Sequence, residues 1–547
     1  MSLQRTRRRR AAGLGIATVL ILVLCLALAA FVLLIAITGD DEDENAGISI
    51  VYGLTLNPSG FDPHIHSSNE LGIPFYSVYD TLIYRHPQNQ DFVPGLAERW
   101  EMAANGLSWT FYLRQDVTFH DDTHFDAQAV AATLDRITNP DLRSQKALSL
   151  LGPYTHYTVE DAYTITLHLS EPYAPLLDAL SQVYLGIASP QAITEYTKNT
   201  YQWHQVGTGP YRVVEIVPGD HILLRRNEDY NWGPVFYAAA SSQSIDTVEF
   251  RFFTDAATRS LALESGAVQM IGELLPTDIE LLVGNTALRL LPVPVMGMPQ
   301  QFFINTQHAP TNEQAVREAL LYATNRTAIV DSVFQGQSPV AHGPLTSTTP
   351  FYDPAVEQRY PYDPDFARSL LQGAGYGDSD DDSIWDRGGE PLELTMVFAP
   401  WNQLPDVAAL IQSQWLEVGI DLKLIQAPDY PTLMDYANND DYDLIAFYDF
   451  GVDASILNRY YRSDGPDNWA RLADEELDNW LAEATRQQDP EQRANLYYAV
   501  QQRIMDDAAI LPIREYINLT GRTAQLDGAI FSAQGWWPLL RNLQWMP

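Results

Sequence analysis

The acidic turn GDSDDDSIWDRGGE spaces Asp378, Asp380, Asp382 and Asp386 much as carboxylates are spaced in a calcium-binding loop. Ser383 stands where such a loop needs glycine, and Gly389 where it needs an acid. The four aspartates are therefore a weak calcium candidate, and no metal is assigned. His64 and His66, and again His120 and His124, have spacings that suit a metal on a strand or a helix. No cysteine and no His-Glu-x-x-His motif joins them, so structural or exposed roles are expected. Neither a Gly-x-Ser-x-Gly elbow nor a Ser-x-x-Lys linked to a second motif is present. Paired carboxylates of the glycosidase kind carry no weight, because 70 acidic residues make such pairs inevitable. What remains is recognition chemistry. Trp401 and Asn402 follow an apolar run and precede a helical pattern, the place where ligands bind in open α/β sheets. Trp401 offers either a stacking face or a core tryptophan.

Those residues need elements to hold them. Leu392 to Phe398 reads as a strand, Leu404 to Val418 as a helix and Asp421 to Ile425 as a second strand, a βαβ-like unit. Tyr442 to Tyr448 is a further strand, and Asp474 to Arg486 and Pro490 to Asp507 are helices. Upstream, Ile48 to Leu56 reads as a first strand. Trp109, Phe111 and Leu113 alternate with polar neighbours, and Asn105-Gly106 before them suits a tight hairpin turn with Arg99 to Met102 as partner. Asp126 is placed to cap a helix opening at Ala127, which Asn139-Pro140 stops. Helices are also expected over Tyr173 to Leu185 and Asn312 to Ile329, the last capped by Thr311 or Asn312. Glu160 to Leu169, Tyr211 to Val217 and His221 to Arg226 are expected strands.

The chain has 547 residues, 46% of them hydrophobic, enough for two or three domains with large cores. A formal net charge of −37 makes nucleic acid a poor partner. Cys25 is the single cysteine, so no intrachain disulfide can form. Arg5 and Arg7 to Arg10 precede an uncharged apolar run, residues 11–38, longer than the roughly 20 residues that span a bilayer. The basic tail should stay cytoplasmic, residues 11–38 should be an uncleaved transmembrane anchor, with cleavage or lipidation at Cys25 as the alternatives, and 39–46 an acidic linker. The body is then held at the cell envelope, outside the cytoplasmic membrane.

Two stretches carry a family likeness. PGLAERWE…NGLSWTFYLRQDVTFHDDTHFDAQAV resembles the signature region of the peptide/nickel class of extracellular solute-binding proteins, family 5, the receptors of ABC importers. INTQHAPTNEQAVREALLYATNRTAIVDSVFQGQSPVAHGPL is similar to the same family, as are the loop around Phe61-Asp62-Pro63 and the turn Gly207-Thr208-Gly209-Pro210-Tyr211. The resemblance implies an α/β fold of the type II periplasmic-binding kind with two lobes closing on ligand, and an early helix over Leu71 to Tyr84. Lobe 1 would span 47–295 with an inserted subdomain at about 85–205, lobe 2 would span 296–508, and 509–547 would return to lobe 1. It implies ligand contacts from Gly60, Phe61 and Ser68 in lobe 1, and from the loop Tyr448, Asp449 and Asp453, where relatives set an aspartate against a peptide amine. Ala399 stands where dipeptide receptors offer an arginine, which favours longer peptides or another solute.

The expected function is an extracytoplasmic receptor that delivers an oligopeptide or other small solute to an ABC permease, as a monomer and without a cofactor. A secreted glycosidase or peptidase and a non-transport solute sensor are the alternatives.

Overall fold

Three sheets organise the chain, and two of them exchange strands with distant sequence. The computed structural model describes residues 47–55, 58 and 60–546; the expected basic tail, anchor and linker lie outside these. Among the described residues no helix is long and apolar enough to cross a membrane. A seven-stranded sheet runs in the order Leu288–Pro294, Ile517–Thr523, Met270–Ile271, Ser49–Leu54, Thr247–Phe252, His221–Arg226 and Tyr211–Val217. Ser49–Leu54 pairs in parallel with both Thr247–Phe252 and Met270–Ile271, while the other pairings are antiparallel. The sheet is therefore mixed.

A five-stranded sheet has the order Asp421–Gln426, Glu393–Phe398, Leu444–Phe447, Gln300–Ile304 and Ile510–Arg514. Its first three strands are parallel, as the βαβ pattern predicts, with Leu404–Leu416 as the connecting helix. Strands buried on both faces read as continuous apolar runs, and Met396, Phe302, Ile445 and Leu511 join Trp415 in one large core. The chain crosses from the larger sheet to the smaller one between Pro294 and Gln300, and back between Arg514 and Ile517. The return lies at Glu515-Tyr516, a few residues later than position 509, because Ile510–Arg514 still pairs with Gln300–Ile304.

The third sheet is antiparallel, in the order Ala97–Met102, Ser108–Leu113, Thr164–Leu169 and Tyr154–Asp161. Gly106 takes φ +71° in its first turn, as Asn-Gly there predicts. Asp126 caps Ala127–Thr138 by accepting from the backbone N–H groups of Gln128 and Ala129.

Four expected elements differ. Glu160 to Leu169 is divided by a tight turn after Asp161, whose carboxylate accepts from Tyr163 N–H at 2.8 Å, so that two strands form a hairpin. Leu71 to Tyr84 is a 3₁₀ turn, Asn69–Leu71, then one helical turn, Gly72–Phe75, and finally a strand, Ile83–Arg85. Its backbone bonds elsewhere: the carbonyls of Ser77, Val78, Asp80, Thr81 and Leu82 accept from Tyr211, Gly209, Ile187, Leu96 and Ala97. Fully buried on every side, the segment has no solvent face to give a helix its period. Tyr173 to Leu185 is likewise broken, into Leu176–Ala179 and Val183–Leu185.

Asn312 to Ile329 is two helices, Gln314–Ala323 and Arg326–Phe334. Thr324 breaks them with extended backbone, and its hydroxyl accepts from Trp415 Nε1 at 2.9 Å. Asn325 then caps the second helix through Ala328 N–H. The first begins at Glu313, which makes no side-chain cap, rather than at Thr311 or Asn312.

Candidate functional site

The C-terminal edge of a parallel sheet is where loops leave room for a ligand, and the strand registers set which residues share that edge. In the five-stranded sheet, Phe398 leads into Trp401 and Asn402, and Phe447 leads into Tyr448 and Asp449. The antiparallel neighbours bring the start of Gln300–Ile304 and the end of Ile510–Arg514 to the same edge. In the seven-stranded sheet the matching edge collects Thr55, Gly272 with Glu273, and Tyr516 with Asn518.

These two edges meet through hydrogen bonds. Tyr516 Oη lies 2.7 Å from Glu273 Oε1 and 2.8 Å from Asn402 Oδ1, and its one proton serves one of them. Asn402 Nδ2 in turn donates to the Tyr448 hydroxyl, and its carbonyl accepts from Gln300 Nε2 at 2.9 Å. Arg514 Nε donates to Gln300 Oε1 at 2.8 Å, with its guanidinium over the Tyr516 ring. Tyr448 stacks on Tyr516 at 5.4 Å, and Phe450 lies 5.0 Å from the Trp536 ring. Three residues here take left-handed backbone without being glycine: Glu273 at φ 50°, Asn402 at 51° and Gln403 at 58°. Such conformations cost about 1 kcal/mol or more and gather where a side chain must be aimed.

Behind this network sits a second acid. Glu70 is 5% exposed, accepts from Thr55 Oγ1 and from Trp536 Nε1, both at 3.2 Å, and is in no ion pair among the described residues. Burial, and then the charge of Glu273, pushes its carboxyl up to about 8. Burial first, then the charges of Glu273 and the residues around it, raises Tyr448 and Tyr516 above the usual phenol range.

The expected contacts divide. Asn402 and Tyr448 join the edge network, and half-buried Trp401 packs against the core of the five-stranded sheet. Asp449 accepts from Tyr460 Oη at 3.0 Å and from Phe450 N–H at 2.8 Å. Asp453 is gripped on both oxygens by Arg493, at 2.7 and 2.8 Å. Its carboxyl would rise with burial, but the guanidinium holds it down at about 2. Phe61 is 3% exposed against Trp203 and Phe252, and Gly60 is packed so that a Cβ would strike the His66 ring. Ser68 caps the turn at Asn69–Leu71. Ala399 is fully buried.

The histidines are structural. His64 Nε2 donates to Gly186 O at 2.8 Å, and its Nδ1 accepts from Arg136, which also pairs with Asp62. Burial and the neighbouring guanidinium lower it to about 4. His120 bonds Gly209 O and His124 bonds Tyr163 Oη, so the pair does not converge. Asp378, Asp380 and Asp382 do gather, exposed, with ligand atoms within 4.8 Å of one another. Asp386 is turned to Ser379 and Gly389 instead.

Glu70, Glu273, Arg514, Tyr516 and Trp536 carry no motif. The one local signal was that Gly272-Glu273 and Tyr516 bound short strands, which becomes meaningful only once the register brings those strand ends together.

The family model described as bacterial extracellular solute-binding proteins, family 5 Middle, matches residues 91–471. Di/tripeptide-binding protein 1 of Pseudomonas aeruginosa is 26% identical over 493 residues, covering 84% of this chain and 87% of the relative. The nickel-binding periplasmic protein of Escherichia coli is 28% identical over 492 residues, covering 85% and 88%. In fold, the chain is similar to NikA from Brucella suis in complex with Fe(III)-EDTA, with a TM-score of 0.82 at 23% identity, covering 91% of this chain and 99% of that one.

Proposed function

Because the chain belongs to the bacterial extracellular solute-binding proteins of family 5, we propose that it captures an oligopeptide between its two main sheets and delivers it to an ABC permease. The observation that carries the reading is the meeting of the two sheet edges at Tyr516, Asn402 and Glu273. Polar groups from both sheets converge there among aromatic rings, the lining expected of a recognition site. Residues 47–294 and 517–546 form one lobe and 300–514 the other, with the antiparallel sheet of residues 97–169 as the inserted subdomain. A ligand touching both lobes favours the closed arrangement because only that arrangement offers both sets of contacts. The apolar run 11–38 anchors this monomeric body to the cytoplasmic membrane, with the body outside.

Native mass spectrometry of residues 40–547, purified without denaturation, tests the ligand class. A co-purifying mass that fragments as a peptide supports the reading and gives the peptide's length. A sugar or a metal chelate in its place overturns the peptide assignment. Uptake that persists undiminished after deletion of the permease overturns the transport role.

A further inference from the structure

At the edge of the seven-stranded sheet lies a cavity lined by Tyr52, Thr55, Gly272, Glu273, Asn518 and Trp536, among others. Glu273 and Glu70, the latter bonded to the wall residues Thr55 and Trp536, bring two carboxylates to it, and neither is in an ion pair among the described residues. The nearby Arg259 does not pair with them: its guanidinium donates to the backbone carbonyls of Gly272, Phe253 and Glu273. Arg514, on the far side of Tyr516, is bonded to Gln300 and Ser338. Glu273 is half-buried with the Tyr516 hydroxyl on its carboxylate, and a carboxylate partly withdrawn from water gains from a counter-charge.

A second observation is independent of the acids. Tyr52 is 2% exposed, yet its hydroxyl makes no hydrogen bond among the described residues; it lies 3.7 Å from where a Cβ on Gly272 would stand, at the cavity wall. Asn518 is 3% exposed, its Oδ1 accepts from Glu273 N–H at 3.1 Å and from Thr520 Oγ1 at 3.4 Å, and its Nδ2, at the same wall, has no partner among the described residues. A buried polar group with no partner calls for an explanation, and a bound ligand supplies one. Trp536 and the neighbouring Tyr516 and Phe450 add ring faces that attract cations. Asp453, the aspartate expected to meet an amine, is occupied by Arg493.

We infer that this cavity receives an ammonium group of the solute, with Glu273 as its direct counter-charge, the Tyr52 hydroxyl as an acceptor, and the carboxyl of Glu70 behind them as a further acceptor. Asn518 Nδ2 donates to a carbonyl beside that ammonium. The assignment rests on the peptide-receptor reading and narrows it. An N-terminal amine and a lysine side chain share the chemistry, and the test separates them.

Isothermal titration of the native body and of Glu273→Gln uses four probes: a free-amine tripeptide without lysine, its N-acetylated form, an N-acetylated lysine tripeptide, and 1,5-diaminopentane. The expected result is binding only where an ammonium is present, weakened about tenfold or more by Glu273→Gln. Binding of the first probe identifies the N-terminal amine; binding of the third identifies the lysine side chain. Equal binding of the free and acetylated lysine-free peptides, unaffected by Glu273→Gln, overturns the inference and leaves the receptor reading standing. Binding of the diamine alone overturns the peptide reading and keeps the ammonium site. Binding of none of the four overturns both. If Glu273→Gln fails to fold, Tyr52→Phe keeps the site's shape, and an unchanged affinity in that variant overturns the inference.

Discussion

Arg493 meets Asp453 edge to edge, Nη1 on Oδ2 and Nη2 on Oδ1, in a planar fork whose side chains are 8% and 10% exposed. An aspartate so held does not face a ligand; it fixes the loop after Leu444–Phe447 to the helix Pro490–Asp506. Asp453→Asn should destabilise the protein by about 3 kcal/mol at neutral pH, since removing one partner strands the other charge. Urea unfolding checks this, and titration of the variant should show ligand affinity little changed. Because the Asp453 carboxyl is held below its ordinary value, its stabilising contribution is present at neutral pH. It is lost as pH falls towards about 2.

Glu70 has the opposite sign. Its folded value is raised from 4.5 to about 8, so the folded state holds a proton that the unfolded state gives up between those values. Its contribution is full below pH 4.5 and disappears as pH rises through about 8. Glu70→Gln, which removes the ionisation but keeps the shape, should flatten the melting temperature across that window and raise it most at its alkaline end. Melting curves of both proteins from pH 5 to 9 give the comparison.

His64 should limit stability on the acid side. Lowered from 6.5 to about 4, it takes up a proton later in the folded than in the unfolded state. Stability therefore falls as pH drops from 6.5 towards 4. Proton NMR of the imidazole should show it neutral at pH 5 with the proton on Nε2, the tautomer that its bonds to Gly186 and Arg136 require.

Gln403 pays for its left-handed φ of 58° without using its side chain to cap the helix it precedes. Gln403→Gly should raise stability by about 0.5–1 kcal/mol, measured by the midpoint of urea unfolding. Gln403 is adjacent to the Asn402 contact, so calorimetric titration with ligand would show whether the strain also holds Asn402 in place; affinity that falls as stability rises would mean that it does.

Local chemistry announced much of the framework. The period of Trp109, Phe111 and Leu113, the cap at Asp126 and the βαβ pattern from Leu392 to Ile425 each depend on neighbours within a few residues, and each formed as expected. Leu71 to Tyr84 misled because its hydrogen-bond partners lie tens to more than a hundred residues away. The site was half legible for the same reason. Asn402 and Tyr448 could be found by asking which loops follow parallel strands. Glu70, Glu273 and Trp536 come from residues 70, 273 and 536, and only the order of strands in the larger sheet makes them neighbours. Asp453 is paired with Arg493, forty positions on, a partner that its local sequence does not announce.

The chain returns from the smaller sheet to the larger through Glu515 and Tyr516 alone. Any swing of one sheet against the other must be absorbed by the backbone torsions of those two residues and of the outbound segment at 295–299. Tyr516 also carries the hydroxyl that lies between Glu273 and Asn402. The fulcrum and the grip are thus built on one residue, and an amino acid chosen for torsional freedom at this joint would change what the protein can hold.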